Sequence, residues 1–203
     1  FDRGYAHATA GNISVRLDDG YLITPTDACL GFLDPAQLAR VGADGRQLSG
    51  ERASKTLALH SAIYGAALPF DAGTRCIIHT HSTHSVALSL RCNDAELLPP
   101  ITPYFVMKVG HVPLVAYRRP GDPATAQDVA ALVRRYGEAK RPIRSVMLQR
   151  LGPNVWHDTP AAAMAVLEEL EETARLVLLA QEPSAALTEL QIDELRSAFG
   201  ARW

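Results

Sequence analysis

A chain of 203 residues, 47% apolar and 21% charged, is long enough to bury a sizeable core as one compact α/β domain spanning 1–203. Its formal net charge of -2 gives no broad attraction for nucleic acid or an acidic membrane, and no run of about 18 apolar residues reads as a membrane span. Three unclustered cysteines, Cys29, Cys76 and Cys92, suit reduced thiols in a cytoplasmic protein, and the abrupt start at Phe1 suggests a missing natural beginning.

In chain order, Asn12 to Arg16 alternates, Asp18-Asp19-Gly20 turns, and Tyr21 to Thr24 returns, which predicts a hairpin. Asp34-Pro35 opens a short helical turn, and Ala43-Asp44-Gly45 marks another turn before Gln47-Leu48. Ser54 is placed to cap a helix running to about Leu68, with Leu57, His60, Ile63, Tyr64 and Ala67 at helical spacing. Cys76 to His79 reads as a short buried strand, and Ser82 as the cap of a helix through about Leu90. Val112 to Val115 reads as a strand that Pro113 confines to an edge or an end.

A helix follows from about Ala124 to Tyr136, then a strand from Ser145 to Leu148, then a Gly152-Pro153-Asn154 turn into Val155-Trp156. Thr159 to about Ala180 is the clearest helix, opened by Pro160, and its acidic run Glu168-Glu169 and Glu171-Glu172 reads as a solvated face. A last helix from Thr188 to Phe199 carries the capping pattern Thr188 and Gln191. Strands interleaved with helices, several joined by hairpins, predict a mixed sheet covered by helices.

His79-Thr80-His81 is the feature with the most chemistry in it. Residues two apart on an extended strand share a face, so both imidazoles can reach one centre, and converging neutral imidazoles are the start of a zinc or similar divalent-metal site. The alternative is one buried histidine bonded to backbone and one exposed. Three polar loops accompany the pair: Ala10-Gly11-Asn12, Thr24-Pro25-Thr26-Asp27, and Ala53-Ser54-Lys55-Thr56. The last, at a helix start, offers free amides, a hydroxyl and a full positive charge, which suits a phosphate. Together they outline a small phosphorylated substrate held beside a divalent metal.

Gly11-Asn12-Ile13-Ser14-Val15-Arg16, Leu22-Ile23-Thr24-Pro25-Thr26, Ala53-Ser54-Lys55 with His60, and His79-Thr80-His81, in this order, resemble the class II aldolase/adducin family. The resemblance covers nearly the whole chain. Ile101 to Met107, Val112 to Val115, Arg119 to Asp122 and Glu168 to Ala174 look most like its 3-oxo-tetronate 4-phosphate decarboxylases. It implies a three-layer fold, a central mixed β-sheet flanked by helices, in a four-fold homotetramer with active sites near subunit contacts. It also implies that Asn12, Thr26, Ser54 and Lys55 hold the phosphate of a small sugar-acid substrate, and that His79 and His81 bind zinc. Lys55 and Tyr104 are the candidate catalytic groups; Tyr104 lies in a loop that either approaches a neighbouring site or is a buried structural residue.

Two positions depart from the family pattern. The aldolases carry an acidic residue four positions before the histidine matched by His60, where this chain has Thr56; the third zinc histidine falls on Leu151. A decarboxylase breaks a carbon–carbon bond without first removing a C–H proton, so loss of a carboxylate base argues more against an aldolase or 4-epimerase. A non-catalytic adducin-like binding protein is the third reading. For the missing ligand, His84, His157 or a carboxylate of another subunit are candidates. His60 reads as a core residue or a support for the ligands, and His111 as facing solvent.

Overall fold

The structure is a computed structural model that describes residues 1–180 and 185–203. Eight strands form one sheet: β1 (Asn12–Leu17), β2 (Gly20–Ile23), β3 (Ala39–Gly42), β4 (Gln47–Ser49), β5 (Cys76–His79), β6 (Leu114–Val115), β7 (Ser145–Leu148) and β8 (Gly152–His157). Their spatial order is β4-β3-β2-β1-β5-β8-β7-β6, antiparallel throughout except for the parallel β6–β7 pair at one edge. Among the described residues five α-helices accompany them: α1 (Leu57–Ala67), α2 (Thr83–Ser89), α3 (Pro123–Glu138), α4 (Pro160–Leu179) and α5 (Glu189–Phe199).

Strand alternation sorts the core into two layers. Cys76 and Ile78 of β5, with Met147 and Val155, pack against Ala163, Leu167 and Leu170 of α4. Ile77, with Val146 and Trp156, packs on the other face against Ile63 and Tyr64 of α1 and Val129 and Val133 of α3. A central mixed sheet with helices on both faces is the expected three-layer α/β architecture. His79 falls on the same face as Ile77, the side covered by α1.

Most expected elements fall where the sequence puts them, and the differences have physical reasons. The first long helix begins at Leu57, three residues after Ser54, because Thr24 O accepts the Ser54 amide at 3.3 Å and draws that residue into a loop contact. The Gly152-Pro153-Asn154 segment is strand rather than turn: Asn154 pairs with His79 and Gly152 with Leu148. Thr188 and Gln191 do form a reciprocal capping box at α5. The acidic run on α4 is not wholly solvated, since Glu171 is 3% exposed. Its carboxylate accepts from the His84 and Ser85 amides at 2.7 and 2.9 Å and from the Ser85 hydroxyl at 2.7 Å. An α4 side chain thereby takes the capping role assigned to Ser82, whose own hydroxyl donates to Tyr5 O.

His111 is likewise buried instead of facing solvent. Its Nδ1 meets Glu96 at 3.0 Å and its ring stacks on Trp203 with centroids 4.2 Å apart. Among the described residues no helix is long and apolar enough to cross a membrane.

Candidate active site

The site is built on the end of β5. Directly opposed residues of an antiparallel pair share a face, and the register sets Asn12 of β1 and Asn154 of β8 on either side of His79. This three-strand row carries buried polar groups without protein partners: Asn12 Oδ1 and both amide atoms of Asn154. Buried polar atoms left unpaired cost about 1–3 kcal/mol each, so such a row is poised to take hydrogen bonds from something else.

The protonation states follow from the bonds. His79 Nδ1 lies 2.9 Å from Pro153 O, a pure acceptor, so Nδ1 carries the hydrogen. Burial, with the neighbouring His81 adding to it, holds the His79 imidazole down at about 4, so Nε2 keeps its lone pair at neutral pH. Burial also lowers His81, with His7 contributing. The two rings stand edge to face with centroids 5.1 Å apart. Two imidazoles on one tetrahedral ion, at Zn–N about 2.0–2.1 Å, have centroids about 5 Å apart. The spacing therefore suits a shared ion, although His81 lies beyond the end of the strand. The backbone bond of His79, which could have marked a merely structural histidine, orients the ring for ligation as well.

His60 stands beneath this pair on α1. The Tyr64 hydroxyl donates to Ser14 O at 3.0 Å, so Ser14 Oγ donates to Tyr64 at 2.9 Å and accepts from His60 Nδ1 at 2.8 Å. The His60 Nε2 is buried without a partner, and burial with the nearby His79 pushes its imidazole down to about 3. Its sequence reading as a core or supporting residue matches this placement.

The loops converge through backbone bonds. Ile13 N donates to Thr24 Oγ1 at 3.1 Å, tying the residue after Asn12 to the second loop. Pro25 bridges Ala53, and Thr26 Oγ1 donates to Ala53 O at 2.9 Å, tying the second loop to the third. Ser54 Oγ and Thr56 Oγ1 share a 2.7 Å bond, and Lys55 is exposed. Asn12, Thr26, Ser54 and Lys55 thus belong to one connected loop cluster joined to the His79 row. Tyr104 is not drawn into it: the residue is 61% exposed, and the Phe105 and Val109 that follow it pack on the α4 face. That exposure removes the alternative of a buried structural tyrosine.

Neither His84 nor His157 joins the pair in a three-residue group among the described residues, and the other candidate, a carboxylate of another subunit, lies outside a single chain. Leu151 packs into the apolar cluster of α1 and α3. His84 Nδ1 meets Glu171 at 2.9 Å, and His157 is held between Arg144 and Asp158. Among the described residues no three His, Cys, Asp or Glu side chains form a metal group. Sequence reading missed Asn154, Gly152 and His7. A Cβ at Gly152 would stand 1.9 Å from Thr80 O, so the start of β8 lies directly against the His79–His81 segment. His7 sits with its ring centroid 6.4 Å from that of His81; its only sequence signal was lying five residues before Asn12.

A three-layer α/β protein with an imidazole pair beside converging polar loops is the class that this fold and site define. The family described as Class II Aldolase and Adducin N-terminal domain matches residues 1–178, and the chain belongs to it. This family is typically divalent-metal dependent. The chain is 50% identical over 210 residues to a 3-oxo-tetronate 4-phosphate decarboxylase of Cupriavidus necator, covering 100% of this chain and 92% of the relative. It is 33% identical to an L-fuculose phosphate aldolase of Methanocaldococcus jannaschii, over 88% and 90% of the two chains. The crystal structure of YgbL from Escherichia coli superposes with a TM-score of 0.85 at 43% identity, over 97% and 91% of the chains. The L-fuculose-1-phosphate aldolase of Thermus thermophilus gives 0.73 at 25% identity, over 91% and 92%.

His79 and His81 fit a divalent ion as a pair: both are neutral nitrogen donors at the right spacing, beside orphaned buried amide atoms.

Proposed function

We propose that this chain decarboxylates a 3-oxo-tetronate 4-phosphate to dihydroxyacetone phosphate and carbon dioxide. The observation that carries this choice within the family is the absence of a carboxylate from the site. Thr56 occupies the position of the aldolase acid, its hydroxyl bonded to Ser54, and no Asp or Glu among the described residues hydrogen-bonds to Asn12, Thr26, Ser54, Lys55, His79 or His81. A decarboxylase tolerates this, because no C–H proton has to be removed. The 50% identity to the Cupriavidus necator decarboxylase supports the same reading.

Asn12, Thr26, Ser54 and Lys55 hold the phosphate, with the Lys55 ammonium supplying the charge and the others hydrogen bonds. His79 and His81 hold a divalent ion, zinc by the nature of the donors, which when bound supplies Lewis-acid polarisation of the 3-oxo group. Holding the 3-oxo and 2-hydroxy oxygens to one side leaves the C1 carboxylate free to align its bond with the carbonyl π system. As the C1–C2 bond breaks, carbon dioxide leaves and the electron pair moves onto the C3 oxygen, giving an enediolate. Fixed donors beside His79 stabilise that charge; the Asn154 amide is buried and unpaired at the adjacent register position. Protonation at C2 completes the product. The exposed Tyr104 hydroxyl of a neighbouring copy in a homotetramer delivers that proton. The enzyme works in the cytoplasm.

The test is release of carbon dioxide and dihydroxyacetone phosphate from 3-oxo-tetronate 4-phosphate with zinc, manganese or cobalt present. Absence of turnover with all three overturns the proposal; retro-aldol cleavage of a ketose 1-phosphate in its place would assign the chain to the aldolases.

A further inference from the structure

Among the seven histidines, His7 is the one beside the pair whose ring is free at both nitrogens, whereas His60 keeps only its Nε2 unpaired. His60 is tied to Ser14, His84 to Glu171, His111 to Glu96, and His157 to Arg144 and Asp158. His79 and His81 are the pair itself. His7 is exposed, and its ring makes no hydrogen bond among the described residues.

Its position is set by backbone contacts. Ser82 Oγ donates to Tyr5 O at 3.0 Å, and Thr80 Oγ1 and Ser82 Oγ share a 2.6 Å bond, so the segment two residues before His7 is fastened to the chain flanking His81. On the other side, Ala10 N donates to His7 O at 2.9 Å, closing a turn in which Ala8 takes a positive φ of 46°. Non-glycine residues adopt that conformation at a cost, and only where the surroundings impose it. Gly11 then abuts His79 O, where a Cβ would stand at 2.7 Å. The His7 backbone is therefore pinned at both ends against the metal pair while its ring stays free.

We propose that His7 supplies the third imidazole of the metal centre, the role for which this chain has no ligating side chain at position 151. The inference rests on the proposed reading of His79 and His81 as ligands. At 6.4 Å the His7–His81 centroid spacing exceeds the tetrahedral value of about 5 Å by little more than 1 Å, a gap that rotation of an exposed, unbonded ring closes. Three imidazoles with the fourth position left to substrate or water is a coordination suited to catalysis. Leu151 packs against the apolar cluster of α1 and α3, and its aliphatic side chain is no competitor for the ion.

The test measures metal affinity directly. Metal-free protein is titrated with Co(II), whose visible absorption reports tetrahedral coordination, and with Zn(II) in competition with a chromophoric chelator. Wild type, H7A, H79A, H84A and the double variant H7A/L151H are compared, and His7 ring nitrogen shifts are followed by NMR as Zn(II) is added. One ion per chain is expected in wild type and H84A, with affinity at least about tenfold weaker in H7A, restored in H7A/L151H, and a His7 shift on binding. The metal-free melting temperature of H7A should match wild type, separating a lost ligand from a lost fold. If H79A loses the ion while H7A binds as wild type does, the His7 assignment is overturned and the metal reading of the pair stands. If wild type binds no ion, both fall.

Discussion

Replacing Glu171 by alanine should destabilise the protein by about 3–5 kcal/mol. Oε1 accepts from the His84 amide and His84 Nδ1 at 2.7 and 2.9 Å, while Oε2 accepts from the Ser85 amide and hydroxyl at 2.9 and 2.7 Å. Truncation strands two amides of the first turn of α2 and the Ser85 hydroxyl; Ser85 itself is fully buried. Unsatisfied buried donors cost about 1–3 kcal/mol each, and loss of an N-terminal cap alone costs about 0.5–2 kcal/mol. His84 is partly exposed and can recover water, which holds the sum near the lower single-donor values. Glu171→Gln should fall only modestly short of alanine, because its amide turns a donor toward donors. Urea unfolding reads the effect: with a slope of about 2–3 kcal/mol/M, the midpoint should drop by about 1–2 M. A loss under about 1 kcal/mol in E171A with an unchanged slope would refute the capping role.

Lys55→Ala should raise KM for the phosphorylated substrate about 10- to 100-fold with kcat little changed, since a charge-assisted bond contributes about 1.5–3 kcal/mol. A fall in kcat at constant KM would move Lys55 from binding to chemistry. Gly152→Ala forces a Cβ to within 1.9 Å of Thr80 O at a φ of +141°; thermal unfolding should show a loss of about 2–4 kcal/mol, and unchanged stability would contradict the packing of the start of β8. In the metal-free protein, acid should act through His60 and His79, held at about 3 and about 4 when folded against 6.5 when unfolded. Above pH 6.5 both are neutral in both states, and stability has no slope from them. As pH falls from 6.5 towards 4 the unfolded chain takes up protons that the folded one refuses, so stability falls by up to about 1.4 kcal/mol per pH unit per histidine. Denaturant midpoints that stay flat between pH 6.5 and 4.5 would contradict the burial of both rings.

Local chemistry made most of the fold legible. The β1–β2 hairpin, β5, β7 and the capping box of α5 announce themselves through turn residues, short apolar runs and a Thr-x-x-Gln spacing. Long-range pairing did not. Nothing in the neighbourhood of Glu171 shows that its partners lie 86 and 87 residues earlier, and nothing around His111 foretells Glu96 and Trp203. The site divides the same way. His79-x-His81 is visible as a pair because period-two geometry is local, whereas Asn154 enters through strand register and His7 through the bond from the Ser82 hydroxyl to the Tyr5 carbonyl two residues before it. The contacts missed are those between segments far apart in sequence.

The Asn12–His79–Asn154 row also bears on how the chain assembles. A slip of one residue between β5 and its neighbours would turn His79 from the α1 side into the cluster of Met147, Val155 and Leu170, and bring Ile78 to the polar row. The misaligned sheet would bury an imidazole in hydrocarbon and be discarded on stability alone. Side chains selected for chemistry at this strand end therefore act as a register mark during folding, so substitutions that make the site more apolar should also make strand pairing less selective.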